Sequence, residues 1–178
     1  VYNLLAAMTA AHLAGLAPEE IVERIQSFQG VPGRMERPCD NLPFSVFVDY
    51  AHSPDAFKNV LHSVRWLVPR GSARILTVFG CGGDRARGKR PLMGLLTEEY
   101  SDEVILTSDN PRTEDPEAIL NDIVTALKKP HHRTADRKEA IHTALRLAEP
   151  GDVVLILGKG HEDYQIFGKE KVHFSDQE

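Results

Sequence analysis

Between residues 45 and 157, strand-length apolar runs and helix-length amphipathic stretches alternate four times. No other feature restricts the fold as strongly. Antiparallel neighbours can be joined by two residues, whereas parallel neighbours need a crossover long enough to hold a helix. The predicted fold is therefore α/β: a Rossmann-like, mostly parallel sheet with helices on both faces. Strands are expected at Ser45–Tyr50, Arg74–Phe79, Glu103–Thr107 and Asp152–Leu157, with a short one near Arg133–Ala135. Their apolar runs fit burial on both faces. Ser53-Pro54 is a cap and first-turn pair for a helix that buries Phe57, Val60, Leu61, Val64 and Leu67. Further helices are expected over Pro91–Tyr100, after Asp115-Pro116, and after Asp136, which with Glu139 resembles a capping box. Residues 166–174 suit a terminal hairpin.

The first 30 residues read differently, as a helical pair. Val1, Leu4, Leu5, Met8, Ala11 and His12 fall on one helical face. Pro18 starts a second helix with Glu19 and Glu20 in its first turn, where the helix dipole favours acids. Ile21, Ile25 and Phe28 are its expected buried stripe, and Gly30 its end. Gly30-Val31-Pro32-Gly33-Arg34 has the punctuation of a linker or hinge. Helical periodicity from the first residue, without an initiator Met, suggests part of a longer chain.

Composition removes several classes of function. With 42% hydrophobic and 26% charged residues, the chain carries enough apolar material for a packed core. No apolar run approaches the roughly 20 residues of a membrane-spanning helix. A net charge of −5 disfavours a general nucleic-acid surface, so no nucleic-acid and no membrane partner is expected. Cys39 and Cys81 form neither a CxxC pair nor a zinc knuckle, which suits a reducing, cytoplasmic setting. No His, Cys or carboxylate cluster has metal-ligand spacing.

In an open parallel sheet, ligands bind beyond the carboxyl ends of the strands. The four loops there are Asp49–Asp55, Gly80–Arg90, Ser108–Arg112 and Gly158–Asp163, all dense in Gly, Asp, His and Arg. Gly83 to Arg90 nearly matches the phosphate loop G-x-x-x-x-G-K-[ST], but Arg90 stands where a hydroxyl must reach magnesium. Arg85, Arg87, Lys89 and Arg90 make it a cationic loop suited to an anion, or else a solvated basic turn. Asp109-Asn110-Pro111-Arg112 suits a zwitterion, with Arg112 gripping a carboxylate and Asp109 an ammonium. The competing reading is a plain turn with Arg112 paired to Glu114 or Asp115. In Gly158–Asp163 the glycines permit close backbone approach, Glu162 and Asp163 bring negative charge, and His161 suits either a general base or a hydrogen-bonding prop, the prop being favoured because no nucleophile accompanies it. Asp49 either contacts a ligand or stiffens its loop.

Together, Val31–Glu36, Asp49–Asp55, Phe79–Gly94, Asp109–Arg112 and Gly158–Gln165 resemble, in order and spacing, the Mur ligase family. The likeness covers essentially the whole chain, and the D-N-P-R signature points to the branch that adds meso-diaminopimelate and not lysine. It implies a three-domain enzyme, with residues 1–35 ending a central ATPase domain and residues 36–178 forming the C-terminal Rossmann-like domain. The implied reaction belongs to peptidoglycan synthesis: ATP phosphorylates the D-glutamate carboxylate of UDP-N-acetylmuramoyl-L-alanyl-D-glutamate. The amine of diaminopimelate then attacks the acyl phosphate, giving an amide, ADP and phosphate. ATP and Mg2+ would be held mainly by residues upstream of this chain, and a monomer is expected.

The resemblance assigns diaminopimelate to Arg85, Asp109, Asn110, Pro111, Arg112, Gly158 and Glu162, and approach to ATP to Asn3, Arg34 and Asp49. It assigns no catalytic residue here, so the chain alone is expected to be inactive. Ala86 stands where the family usually carries an acid. Against this stand a non-catalytic module binding an anionic ligand, a small phosphate-loop kinase, and the sister Mur ligases or folylpolyglutamate synthetase.

Overall fold

The structure, a computed structural model, describes residues 2–28 and 30–178, so Val1, expected on the first helical face, lies outside the described residues. The chain divides into two compact units after Gly30.

The first unit is the helical pair α1 (Tyr2–Leu13) and α2 (Pro18–Gln26). Pro18 opens α2 and Glu19 and Glu20 occupy its first turn. The helix stops at Gln26, with Ser27 as its cap, four residues short of the glycine expected to close it. Ile21 is buried, but Phe28 is 60% exposed, contrary to expectation. Two short helices have too little mutual surface to bury both apolar faces.

The second unit carries a five-stranded, all-parallel sheet in the order β1-β5-β2-β3-β4: β1 (Ser45–Asp49), β2 (Ile75–Phe79), β3 (Glu103–Leu106), β4 (His132–Arg133) and β5 (Val153–Leu157). The crossovers are α3 (Pro54–Leu67), α4 (Lys89–Tyr100), α5 (Pro116–Val124) and α6 (Arg137–Leu147). Alternate strand residues serve two cores. Ile75, Phe79, Leu106, Leu155 and Leu157 pack with α3, α4 and α5 residues on one face. Leu76, Val78, Ile105, Val154 and Ile156 pack with Ala140, Ile141 and Ala144 of α6 on the other. Every residue of β2 and β5 is buried, as strands covered on both faces require.

The expected caps form at Ser53, Asp115 and Asp136. At Asp136 only half of the capping box is made. Its carboxylate accepts from Glu139 N, while the Glu139 carboxylate bonds Arg146. The segment read as a linker or hinge is instead fastened from Val31 onward. Val31 bridges Arg34, Tyr50 N donates to Gly33 O at 2.8 Å, and Glu36 pairs with Val48 on the free edge of β1. The chain ends in the antiparallel hairpin β6 (Tyr164–Phe167) and β7 (Glu170–His173). Among the described residues no helix is long and apolar enough to cross a membrane.

Candidate functional site

The loops after β1, β2, β3 and β5 converge on a cavity of about 170 Å³. Arg85, Asp109, Asn110, Arg112, Gly158 and Glu162, the residues singled out from these loops, all line it. Tyr50, His52, Cys81 and Lys89 complete much of the wall. Pro111 is buried and is not among the lining residues.

The Asp109–Arg112 loop is held from one side by the terminal hairpin. Arg112 N donates to Ile166 O at 2.9 Å, and Gly168 N donates to Arg112 O at 2.7 Å. Ile166 N donates to Asn110 Oδ1 at 3.0 Å and Gln165 Nε2 to Asp109 O at 2.8 Å. These bonds hold Arg112 at φ 51°, a left-handed conformation that is unfavourable for a residue with a side chain. Its Nη1 donates to Gly83 O at 2.9 Å and to Asn110 O at 3.3 Å. The guanidinium is therefore aimed by backbone carbonyls. It makes no ion pair with Glu114 or Asp115, which removes the plain-turn reading of its charge among the described residues.

The opposite wall shows why position 158 is glycine. Its φ is +117°, and a Cβ there would lie 2.8 Å from Asp109 Oδ2. Asp109 Oδ1 accepts from Asn110 N at 2.6 Å. Glu162 Oε2 accepts from Asn110 Nδ2 at 3.0 Å and from Lys159 Nζ at 3.2 Å. The cavity thus carries Arg85 and Lys89 from the loop after β2, Asp109 and Arg112 from the loop after β3, and Glu162 from the loop after β5. A ligand presenting both signs of charge matches this arrangement.

The basic loop after β2 departs from expectation. Of its four cations, only Arg85 and Lys89 line the cavity. Helix α4 begins at Lys89, two residues earlier than expected, and Arg90 is fully buried in its first turn. Arg90 reaches Glu114 at 2.8 and 3.0 Å and Asp122 at 2.8 Å. Arg87 also pairs with Glu114, at 3.1 Å. The Arg90 hydrogen bonds, against the opposing effect of desolvation, hold the Glu114 carboxyl down to about 2. Lys89 Nζ donates to His52 O at 3.0 Å. The near-match to a phosphate loop is therefore a loop locked by a buried ion-pair cluster.

Asp49 is buried, and both its oxygens are taken by backbone amides, Met35 N at 2.8 Å and Ala51 N at 2.7 Å. It stiffens its loop here, the second of its two expected roles. Arg34 is exposed and its guanidinium lies 5.0 Å from the centre of the Tyr50 ring. Asn3 belongs to α1 of the first unit. His161 is exposed with its ring 5.3 Å from that of Tyr50. Cys81 is in the cavity wall, but burial pushes its thiol up to about 12, so it stays protonated and is no nucleophile at neutral pH. Among the described residues no group of His, Cys, Asp and Glu converges as a metal site.

Sequence reasoning missed two buried cations. Lys159 is fully buried behind Glu162. Arg137 is buried against Asp176 at 2.6 Å and donates to Ser108 O and Leu157 O, tying α6 to the ends of two strands beside the site. A lysine between two glycines directly after a wholly apolar strand was a usable signal for the first. Nothing local marks the second, whose partner is 39 residues away.

Residues 33–160 match the family model described as Mur ligase, glutamate ligase domain. The chain is 50% identical over 182 residues to UDP-N-acetylmuramoyl-L-alanyl-D-glutamate–2,6-diaminopimelate ligase of Synechocystis sp., covering 99% of this chain and 35% of that protein. It is 48% identical to the protein of the same name from Clostridioides difficile, covering 100% of this chain and 37% of that one. A solved structure of a ligase of that name superposes with a TM-score of 0.75 at 43% identity, covering 98% of this chain and 36% of that one. The chain spans about a third of the length of the curated relatives it matches.

Proposed function

The chain belongs to the Mur ligase family, and from that premise we propose that it is the C-terminal part of an ATP-dependent ligase. This ligase adds meso-diaminopimelate to UDP-N-acetylmuramoyl-L-alanyl-D-glutamate in peptidoglycan synthesis. The observation that carries the reading is the convergence of Arg85, Asp109, Asn110, Arg112, Gly158 and Glu162 on one cavity. Diaminopimelate has two carboxylates and two ammonium groups. Arg85 and Arg112 receive carboxylate, while Asp109 and Glu162 receive ammonium. Pro111 stiffens the loop from behind. L-Lysine lacks the second carboxylate and leaves one guanidinium unpaired in the pocket, which is the basis for discrimination.

The chain's contribution to the reaction is positioning: it presents the diaminopimelate amine to an acyl phosphate formed elsewhere in the enzyme. The residues here do not suit the ATP phosphates or Mg2+ as a main site. Arg90 is buried against two acids and Lys89 is bonded to His52 O. We assign those sites to upstream sequence, with residues 1–35 as the end of the ATPase domain and residues 36–178 as the C-terminal domain. Asn3 and Arg34 approach ATP only in the closed enzyme, while Asp49, with both oxygens held by backbone amides, shapes the loop there without contacting the nucleotide. Unpaired Cys39 and Cys81 support a cytoplasmic setting. We take the enzyme to act as a monomer.

Calorimetric titration with meso-diaminopimelate, with L-lysine as control, tests the substrate class. Heat with the first ligand only is expected, and equal heats overturn the assignment. If this chain is silent with both, the same titration on the complete enzyme decides, and silence there also overturns it. The isolated chain is expected to show no diaminopimelate-dependent ATP hydrolysis. Release of phosphate above background by the pure chain is the contrary result.

A further inference from the structure

We propose that Lys159 is a specificity-determining positioning residue, setting Glu162 and Asn110 so that the cavity prefers a dicarboxylate diamine over a monocarboxylate one. The inference rests on the diaminopimelate reading above.

A lysine is almost never fully buried unless its charge is paired. Lys159 is fully buried, directly after β5. Its Nζ donates to Glu162 Oε2 at 3.2 Å and reaches Asn110 Oδ1 at 3.5 Å, and it lies 5.2 Å from the centre of the Tyr164 ring. It does not line the cavity; the two residues it holds do. Asn110 is fixed on both ends of its amide. Oδ1 accepts from Ile166 N and Lys159, and Nδ2 donates to the same Glu162 oxygen that Lys159 binds. Glu162 Oε1 has no protein hydrogen bond among the described residues, on a side chain that faces the cavity.

Lys159 therefore does two things from behind the wall. It fixes one Glu162 oxygen and leaves the other for a ligand ammonium. It also cancels much of the Glu162 charge felt in the cavity. Seen from the ligand, the wall has Arg85, Lys89 and Arg112 against Asp109 and a Glu162 that is ion-paired from behind with Lys159. That balance favours a ligand with a second carboxylate. Without Lys159, the full Glu162 charge faces the cavity and favours a ligand of net positive charge.

The test is the ratio of kcat/KM for meso-diaminopimelate to that for L-lysine, measured in the complete ligase. Lys159→Met is expected to lower the ratio about tenfold or more while the KM for ATP stays at its wild-type value. Glu162→Gln leaves Lys159 uncompensated and is expected to raise the ratio, with the double variant returning toward wild type. A purely structural role for Lys159 moves activity or stability but not the ratio in opposite directions. An unchanged ratio in Lys159→Met overturns the proposal. If that variant does not fold, the step from Glu162→Gln to the double variant carries the test: a fall of about tenfold supports it and no change overturns it. A wild-type enzyme that uses both amino acids equally overturns the substrate reading itself, before any variant is compared.

Discussion

Arg90→Met is expected to cost the second unit about 3–5 kcal/mol, because breaking a buried ion pair leaves the partner charge uncompensated. Arg90 is buried completely, and its two terminal nitrogens reach Glu114, Asp122 and Gly82 O. Methionine fills the volume of the stem and removes the charge, so Asp122 loses its partner and Glu114 keeps only the exposed Arg87, without a large void. The cluster also fastens α4 and α5 to the loop after β2, since Glu114 accepts from Asp84 N at 2.6 Å. The measurement is the denaturant midpoint of the wild-type and variant chains.

The same cluster fixes how the difference depends on pH. Glu114 is depressed from 4.5 to about 2, chiefly by the Arg90 hydrogen bonds. A carboxyl depressed on folding contributes stability that is complete above its unfolded value and is lost as pH falls toward the folded one. The gap between wild type and Arg90→Met should therefore be full above about pH 4.5 and narrow toward pH 2. A gap that stays constant over that window would remove Glu114 from the account.

Arg112→Ala in the complete enzyme is expected to raise the KM for diaminopimelate about 30- to 150-fold, matching the roughly 2–3 kcal/mol of a lost charge-assisted hydrogen bond. The KM for ATP and the unfolding midpoint should remain near wild type. Arg112 makes no ion pair among the described residues and is oriented by carbonyls through Nη1. Its guanidinium is in place before a ligand arrives, so little ordering opposes binding. Arg112→Lys should rescue only part of the loss, because an ammonium cannot reproduce the planar fork. Equal losses for diaminopimelate and ATP would count against the role given to Arg112.

The sheet was legible because its strands are buried on both faces, which writes them as unbroken apolar runs such as Val153–Leu157. The loops that build the cavity were legible for the same reason, since they must follow those strands. Arg90 was not. Its acids lie 24 and 32 residues further on, and a shift of two residues in the start of α4 changes its direction from cavity to core. The hairpin could be anticipated from Ile166–Glu170, but its grip on Asn110 and Arg112 depends on backbone bonds between distant segments. Phe28 was misplaced because helical spacing identifies an apolar face without saying what covers it.

The position of β5 in the sheet has a consequence for how the polypeptide acquires its shape. The last strand of the sheet to be synthesised sits between β1 and β2, and β1 has no other strand partner. A nascent chain that has emerged only as far as α6 can pair β2 with β3 and β3 with β4, but β1 must wait for residues 153–157. Closing that long loop is an entropic cost that precedes any reward from pairing, so sheet completion should be the slow step of folding. The cavity has walls from loops on both sides of β5, and ligand recognition therefore begins only after that strand has been inserted.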